Sequence, residues 1–341
     1  MPGKPLLCRA NFQFAQKKRI KNLLYIMRVF NKRKTSELKI RFTARQRFLL
    51  GILLLAVANI CFSAKAVLVK LLYREGLDVQ SVIALRMFFS FPFYAGMAVF
   101  LHQRSANVRL SRREWLAVSA LGILSYYISS MLDFEGLQYV TASVERLILF
   151  TYPTMVLLLS SLFFHKKISA TQVLALVLTY AGVVLAFAAE LRLGAQRNIW
   201  LGGLLVFGCA ATYSFYIVFT GELVHKIGSA KFTCYAVMAA TVPALFQSAV
   251  HNGLDIFAYP WPVYRLSVWL AVVATVIPTF LIVEGIRLVG ANNSAVIGFV
   301  GPVATIFLGY WLLGEPVTSL QLLGTTVVLA GVFLLSWKGK S

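Results

Sequence analysis

Two oppositely charged residues stand side by side in an otherwise apolar run, Glu145 and Arg146 in ASVERLILFTYPTM. Lys65 and Arg86 are embedded in other apolar runs. A charge at the centre of a bilayer costs about 2.5–3.5 kcal/mol on insertion scales, so embedded charges usually face a cavity or a transport pathway. We therefore predict that these four side chains bind a solute or a coupling ion. In this hypothesis Arg146 meets a carboxylate, while Glu145 neutralises Lys65 or Arg86.

Four tyrosines could line the same cavity, because they lie in or near apolar runs. They are Tyr126, Tyr152, Tyr213 and Tyr216. Ordinary packing or contact with lipid is the alternative for each ring. For the charges the alternative is a structural ion network, in which nearby acids and bases balance. Adjacent helical residues point about 100° apart, so Glu145 and Arg146 need not pair with each other.

The composition places these residues in a membrane protein. Of the 341 residues, 59% are hydrophobic and 13% are charged, and the mean hydropathy is +0.76. The formal net charge of +21 comes mainly from residues 1–47, which hold 14 Lys or Arg and one acid. A basic flank before a first membrane helix explains this better than nucleic-acid binding does. No spacing of Cys and His suits a metal, and we expect no cofactor.

Apolar runs of about 17–25 residues are long enough to cross a bilayer as helices. Ten such runs predict an all-α polytopic membrane protein with ten transmembrane helices. Residues 1–47 precede them as a basic cytoplasmic tail, either a disordered arm or an over-extended start before Met27. The predicted spans are 48–72, 79–101, 115–131, 142–164, 171–189, 200–220, 232–250, 266–286, 293–313 and 318–336.

An internal repeat relates the two halves at a constant offset of 149 residues. Five spans per copy put the second copy into the membrane from the opposite side. Inverted repeats of this kind are a recurring transporter architecture, with the substrate site between the halves. This topology with the N-terminus inside leaves 25 Lys or Arg on inner segments and four on outer ones, so both termini are expected in the cytoplasm. The repeat pairs Glu135 with Glu284, Pro153 with Pro302, Gln172 with Gln321 and Gly182 with Gly331.

The topology also predicts where the charges lie. Lys65 and Arg86 would be about 10 Å deep from the outer surface and Glu145 and Arg146 about 5 Å. Asp133 and Glu135 would lie just past the outer end of the third span. Ser294 and Ala295 occupy the equivalent positions of Glu145 and Arg146 in the second copy, so the scaffold does not require the charged pair.

The chain from Phe48 to Trp337 resembles the EamA-type family of the drug/metabolite transporter superfamily. The motifs that carry the resemblance are LGEPVTSLQLLGTTVVLAGVFLL, GPVATIFLGYWLLGE before it, FSAKAVLVK and VIALRMFFS. The resemblance implies two EamA-like repeats of five helices, at 48–189 and 200–336. It also implies a secondary transporter working by alternating access.

From the charges and the resemblance together we expect an exporter of an amino-acid-like or other organic-anion solute. The protein would lie in the plasma (bacterial inner) membrane, with the lipid bilayer and a small-molecule substrate as its partners. Proton coupling would require a titrating carboxylate, and Glu145 is the best embedded candidate. A non-transporting membrane scaffold or sensor is the alternative. A membrane-embedded enzyme is disfavoured because the four histidines lie at span ends or in loops.

Overall fold

Helices joined by short turns make up the chain over the residues that the computed structural model describes, which are 44–104, 110–165, 168–193, 198–253, 258–290, 294 and 297–337. Residues 1–43 of the predicted tail and Ala295 lie outside this set. From Phe48 onward the chain forms one unit. Its helices are α1 Ala44–Arg74, α2 Val79–Arg104, α3 Arg112–Leu137, α4 Ala142–Phe164, α5 Ala170–Leu193, α6 Ile199–Ile227, α7 Ser229–Asn252, α8 Trp261–Val289, α9 Val300–Leu313 and α10 Ser319–Trp337.

Eight of these helices, α1 to α8, are long and apolar enough to cross a membrane, as judged over the described residues. They correspond to the first eight predicted spans. The last two predicted spans correspond to shorter apolar helices, Val300–Leu313 and Ser319–Leu334. The predicted fold class, an all-helical polytopic membrane protein, is therefore confirmed.

The predicted end of the third span is wrong. Helix α3 continues to Leu137 through a π-helical turn at Ile123–Ile128, so Asp133 and Glu135 lie within the helix and not beyond it. Asp133 is buried, with a relative exposure of 2%. The helix can continue through this acid because a lysine on α1 neutralises it, as described below.

Helix α4 is broken into Ala142–Leu149 and Tyr152–Phe164. Pro153 has no N–H to donate to the preceding turn, which frees backbone carbonyls at the break. The hydroxyl of Thr151 donates to the carbonyl of Ile148 at 2.7 Å, and that of Ser214 reaches the carbonyl of Tyr152 at 3.1 Å. Glu145 and Arg146 are therefore carried by a short half-helix whose orientation is set separately from the rest of α4.

Helices α5 and α10 cross at close range through glycines. A Cβ atom on Gly182 would lie 2.6 Å from the backbone nitrogen of Val328 and 2.7 Å from the carbonyl oxygen of Gly324. A Cβ atom on Gly331 would lie 2.7 Å from the backbone nitrogen of Thr179. Small residues let membrane helices approach in this way, so that packing replaces the hydrophobic effect as the force that joins them.

Candidate functional site

A cavity of about 730 Å³ lies among the helices. Polar side chains reach it from α1, α2, α3, α4, α6, α7 and α8, and apolar side chains such as Ile282 and Val283 of α8 complete its wall. Seven of the eight predicted site residues line it; the exception, Glu145, is fully buried at 0% exposure. The seven are Lys65, Arg86, Tyr126, Arg146, Tyr152, Tyr213 and Tyr216.

Lys65 contacts two carboxyl groups from different helices. Its Nζ atom lies 2.5 Å from Oδ2 of Asp133 on α3 and 3.5 Å from Oε1 of Glu145 on α4. Over the described residues, Oδ1 of Asp133 and both carboxyl oxygens of Glu145 are buried without a hydrogen bond. Lys65 is therefore the cation that offsets two buried acids, and it joins α1 to α3 and α4.

Arg86 does not pair with Glu145, although the sequence left that pairing open. Its Nη2 atom donates to the carbonyl of Tyr126 at 3.1 Å and to the hydroxyl of Ser130 at 2.8 Å. Its guanidinium carbon lies 5.0 Å from the centre of the Phe134 ring. Three contacts with α3 thus hold Arg86 at the cavity wall, while its Nε is buried without a partner among the described residues.

Arg146 is the cavity cation with the fewest polar contacts. It has no carboxylate within 4.0 Å among the residues described, and its Nε is buried without a hydrogen bond. Its guanidinium carbon lies 5.9 Å from the ring centres of both Phe62 and Phe150. Aromatic rings attract a cation without using its N–H donors. The guanidinium is thus held in place with donors that an anionic ligand could take up.

The four predicted tyrosines form one chain of ring contacts. Tyr152 contacts Tyr213 with ring centres 5.4 Å apart, and Tyr213 stacks on Tyr216 at 5.9 Å. Tyr216 meets Tyr126 edge to face at 6.0 Å. These rings join α3, α4 and α6 along the cavity, so they are both packed against one another and exposed to its contents.

Two further acids hold the start of the half-helix that carries Arg146. Glu190 of α5 accepts hydrogen bonds from the N–H of Thr141 at 3.0 Å and from its hydroxyl at 2.7 Å. Glu315, in the turn after α9, accepts from the N–H of Ala142 at 2.9 Å and lies 3.3 Å from Nζ of Lys70. Carboxylates are stabilised at a helix N-terminus, where backbone N–H groups are unpaired. Sequence reasoning missed Glu190, although it is a lone acid at the end of an apolar run.

A second chamber of about 600 Å³ lies at the C-terminal ends of α1, α3 and α9. Lys70, Arg74, Asp78, Glu135 and Glu315 are among its lining residues. Nη2 of Arg74 donates to the carbonyl of Leu313 at 2.7 Å.

Asp78 lies immediately before the first residue of α2, beside this chamber. It accepts hydrogen bonds from the N–H groups of Gln80 and Ser81 and from the amide of Asn252 at 2.9 Å. Partial burial by itself would raise the pKa of Asp78, but the hydrogen bonds from Ser81 and Asn252 lower that pKa below its ordinary value. Asp78 is therefore a helix cap that works in its charged form.

Comparison with known proteins gives a consistent set of matches. The model of the EamA-like transporter family matches residues 49–188 and again 200–337. The uncharacterized transporter YcbK of Bacillus subtilis (strain 168) is 31% identical over 292 residues, which cover 84% of this chain and 91% of that protein. The uncharacterized transporter YdfC of the same organism is 28% identical over 240 residues, covering 69% and 76%.

A solved structure described as "Crystal structure of protein" has a similar fold, with a TM-score of 0.57 at 13% sequence identity. The match covers 84% of this chain and 97% of that one. At this identity the likeness concerns the fold alone.

Proposed function

The chain belongs to the EamA-like transporter family, and we propose that it exports a small amino-acid-like or other organic anion as a secondary transporter. The family and the apolar helices make it a multi-pass membrane transporter. The substrate class, the direction and the mechanism are the proposal. We also propose that it has no enzymatic activity and lies in the plasma (bacterial inner) membrane with both termini in the cytoplasm.

The observation that carries the proposal is the position of Arg146 in the central cavity, where no carboxylate of the described residues lies within 4.0 Å of it. Lys65, Arg86 and Arg146 face two carboxyl groups, Asp133 and Glu145, so the site holds one excess positive charge when both carboxyls are ionised. Arginine presents a planar fork of N–H donors that matches a carboxylate. A substrate with one carboxylate would balance the charge and satisfy the free donors of Arg146 together.

Reciprocal contacts support the inverted arrangement of ten helices in two repeats of five, at 48–189 and 200–336. Gly182 approaches Val328, and Gly331 approaches Thr179. The offset of 149 residues converts the first pair into the second, because 182 becomes 331 and 179 becomes 328. A two-fold axis produces such exchanged contacts. The repeat-related rings of Phe150 and Phe299 also meet, with centres 6.5 Å apart.

Alternating access would then begin from a conformation closed on the outer side. With the termini in the cytoplasm, the C-terminal end of α1 faces outward. There Lys70 forms an ion pair with Glu315, and Arg74 donates a hydrogen bond to the carbonyl of Leu313. One to two turns deeper, Lys65 joins α1 to α3 and α4. Opening to the outside would require α1 to part from these partners, and Glu145 is the proposed site of proton coupling during that step.

Thermal unfolding of the purified protein in detergent tests the binding site. Wild type, Arg146→Ala and Arg265→Ala would be heated with a panel of carboxylates, amines and neutral metabolites. Arg265 is exposed at the start of α8 and serves as the matched control. A ligand at 100 times its dissociation constant stabilises by about 2.7 kcal/mol. We expect a carboxylate to stabilise wild type and Arg265→Ala but not Arg146→Ala. If the carboxylate stabilised all three proteins equally, it would bind at a site that does not include Arg146.

A further inference from the structure

We infer that Gly301 is a positioning residue, which leaves room for the guanidinium of Arg146 against the backbone of α9. The inference rests on the proposed role of Arg146 as the anion-binding group. Gly301 lies in the first turn of α9, immediately before Pro302, and it is buried. Its function would be exerted through Arg146 and not by contact with the substrate.

The space beside Gly301 is taken by Arg146. A Cβ atom built on Gly301 would lie 2.8 Å from Nη2, 3.4 Å from Nε and 3.6 Å from Cζ of Arg146. These are its three nearest neighbouring atoms. A methyl group at this position would therefore collide first with the guanidinium. Glycine leaves this space to the head group, which lies against the main chain.

Hydrogen bonds fix the backbone at Gly301. Its carbonyl oxygen lies 2.8 Å from the hydroxyl of Ser63 on α1 and 3.1 Å from that of Thr305. Its N–H donates to the carbonyl of Gly298 at 2.9 Å. Ser63 and Thr305 are themselves almost fully buried, at 1% and 0% exposure.

An added methyl group would therefore displace the side chain and not the backbone. The guanidinium is the far end of a flexible chain, whereas Gly301 is fixed by buried hydrogen bonds. Gly301→Ala should fold normally and shift the N–H donors of Arg146 relative to Phe62 and Phe150. A bidentate contact depends on the alignment of both donors, so a shift of this kind weakens it without removing the charge.

A double-mutant cycle tests whether Gly301 acts through Arg146. The proteins are wild type, Gly301→Ala, Arg146→Lys and the double variant. Lysine keeps the charge but has no Nη2 atom for the methyl group to meet. Gly96→Ala on α2 is the matched control, because a Cβ atom there has no neighbour within 4 Å. The probes are acetate, L-leucine, succinate and benzoate, with binding followed by calorimetry and unfolding followed without ligand.

We expect Gly301→Ala to weaken the best-bound probe by about tenfold or more, as loss of a charge-assisted hydrogen bond does. In the Arg146→Lys background the same change should have less than about a twofold effect, since the colliding atom is gone. Equal losses in both backgrounds would overturn the inference. Gly96→Ala should leave probe binding unchanged. Ser63→Ala, which removes one of the two hydroxyl groups bonded to the Gly301 carbonyl, should show the same dependence on Arg146 with a smaller loss.

The ligand-free measurement separates this inference from the proposed function. Without probe, Gly301→Ala should lower the unfolding midpoint in wild type and leave it unchanged in Arg146→Lys. If no probe binds wild type but this difference appears, the proposed anion site fails and the positional contact stands. Another outcome is that a probe binds wild type but not Arg146→Ala, while the effects of Gly301→Ala and Arg146→Lys simply add, both in probe binding and in unfolding without ligand. In that case the proposed function stands and the role of Gly301 is refuted.

Discussion

Replacing Lys65 with Met should destabilise the protein strongly, because it leaves two buried carboxyl groups without their cation. Lys65 lies 2.5 Å from Asp133 and 3.5 Å from Glu145, and its side chain is 11% exposed. At an effective dielectric constant of about 20, a pair 3.5 Å apart attracts by about 5 kcal/mol, much of which only offsets desolvation. Removing one partner of a buried pair costs about 3–5 kcal/mol, and we expect a loss in this range.

The assay is reversible unfolding in mixed micelles with increasing SDS, which gives the free energy of unfolding. Lys70→Met is the matched control. Its partner Glu315 keeps the hydrogen bond from Ala142 and is less buried, so the loss should be about 1 kcal/mol.

Removal of the unpaired acids should restore stability to the Lys65→Met protein. Lys65→Met combined with Asp133→Asn and Glu145→Gln removes all three charges of the Lys65 cluster, so that neither carboxyl group is left as an uncompensated buried charge. We expect this triple variant to recover most of the loss. The reasoning is refuted if Lys65→Met alone lies within about 1 kcal/mol of wild type, or if the triple variant is no more stable than the single one.

Three smaller changes test other parts of the structure. Glu315→Gln should lower the free energy of unfolding by about 1 kcal/mol, because the amide lacks the charge that faces Lys70. An unchanged free energy of unfolding in the same SDS titration would show that the Lys70–Glu315 pair does not stabilise the fold. Because the pKa of Asp78 is lowered in the fold, its ionised form stabilises above about pH 4 and this contribution is lost as the pH falls through the lower folded pKa. The unfolding midpoint should therefore drop more steeply below pH 4 for wild type than for Asp78→Asn, and parallel curves would contradict this. Gly182→Ala should lower the free energy of unfolding by about 1–3 kcal/mol, because the added methyl group overpacks α5 against α10. Gly96→Ala is the control, since a Cβ atom at Gly96 has no neighbour within 4 Å. Equal losses in the two variants would contradict the close crossing of α5 and α10.

Much of the fold could be predicted from the sequence because membrane physics is simple. Long apolar runs must be helical where backbone groups have no water to bond, and all eight long helices fall on predicted spans. The cost of burying charge likewise pointed to Lys65, Arg86 and Arg146, which the structure places at one cavity. Burial and helix formation depend on the local residue types, which the sequence contains directly.

The partners of these residues could not be predicted. The rotation of each helix about its axis decides whether Glu145 meets Lys65 or Arg86, and hydrophobic periodicity is weak in helices that are apolar all round. The sequence predicts Asp133 beyond the end of its helix, because an acid usually ends an apolar run. Gly301 and Phe62 begin two of the motifs that carry the family resemblance, but those motifs assign them no role at the site, since their importance arises from the position of Arg146 on another helix.

The most direct test of an organic-anion transporter with its site at Arg146 is flux in proteoliposomes. The carboxylate that stabilises the purified protein would be loaded on one side, and its exchange for labelled carboxylate would be followed for wild type, Arg146→Ala, Arg265→Ala and empty liposomes. We expect exchange by wild type and Arg265→Ala, and almost none by Arg146→Ala. Exchange by Arg146→Ala at the wild-type rate would contradict the proposed site. A stabilising ligand that wild type binds but does not move would instead support a membrane scaffold or sensor.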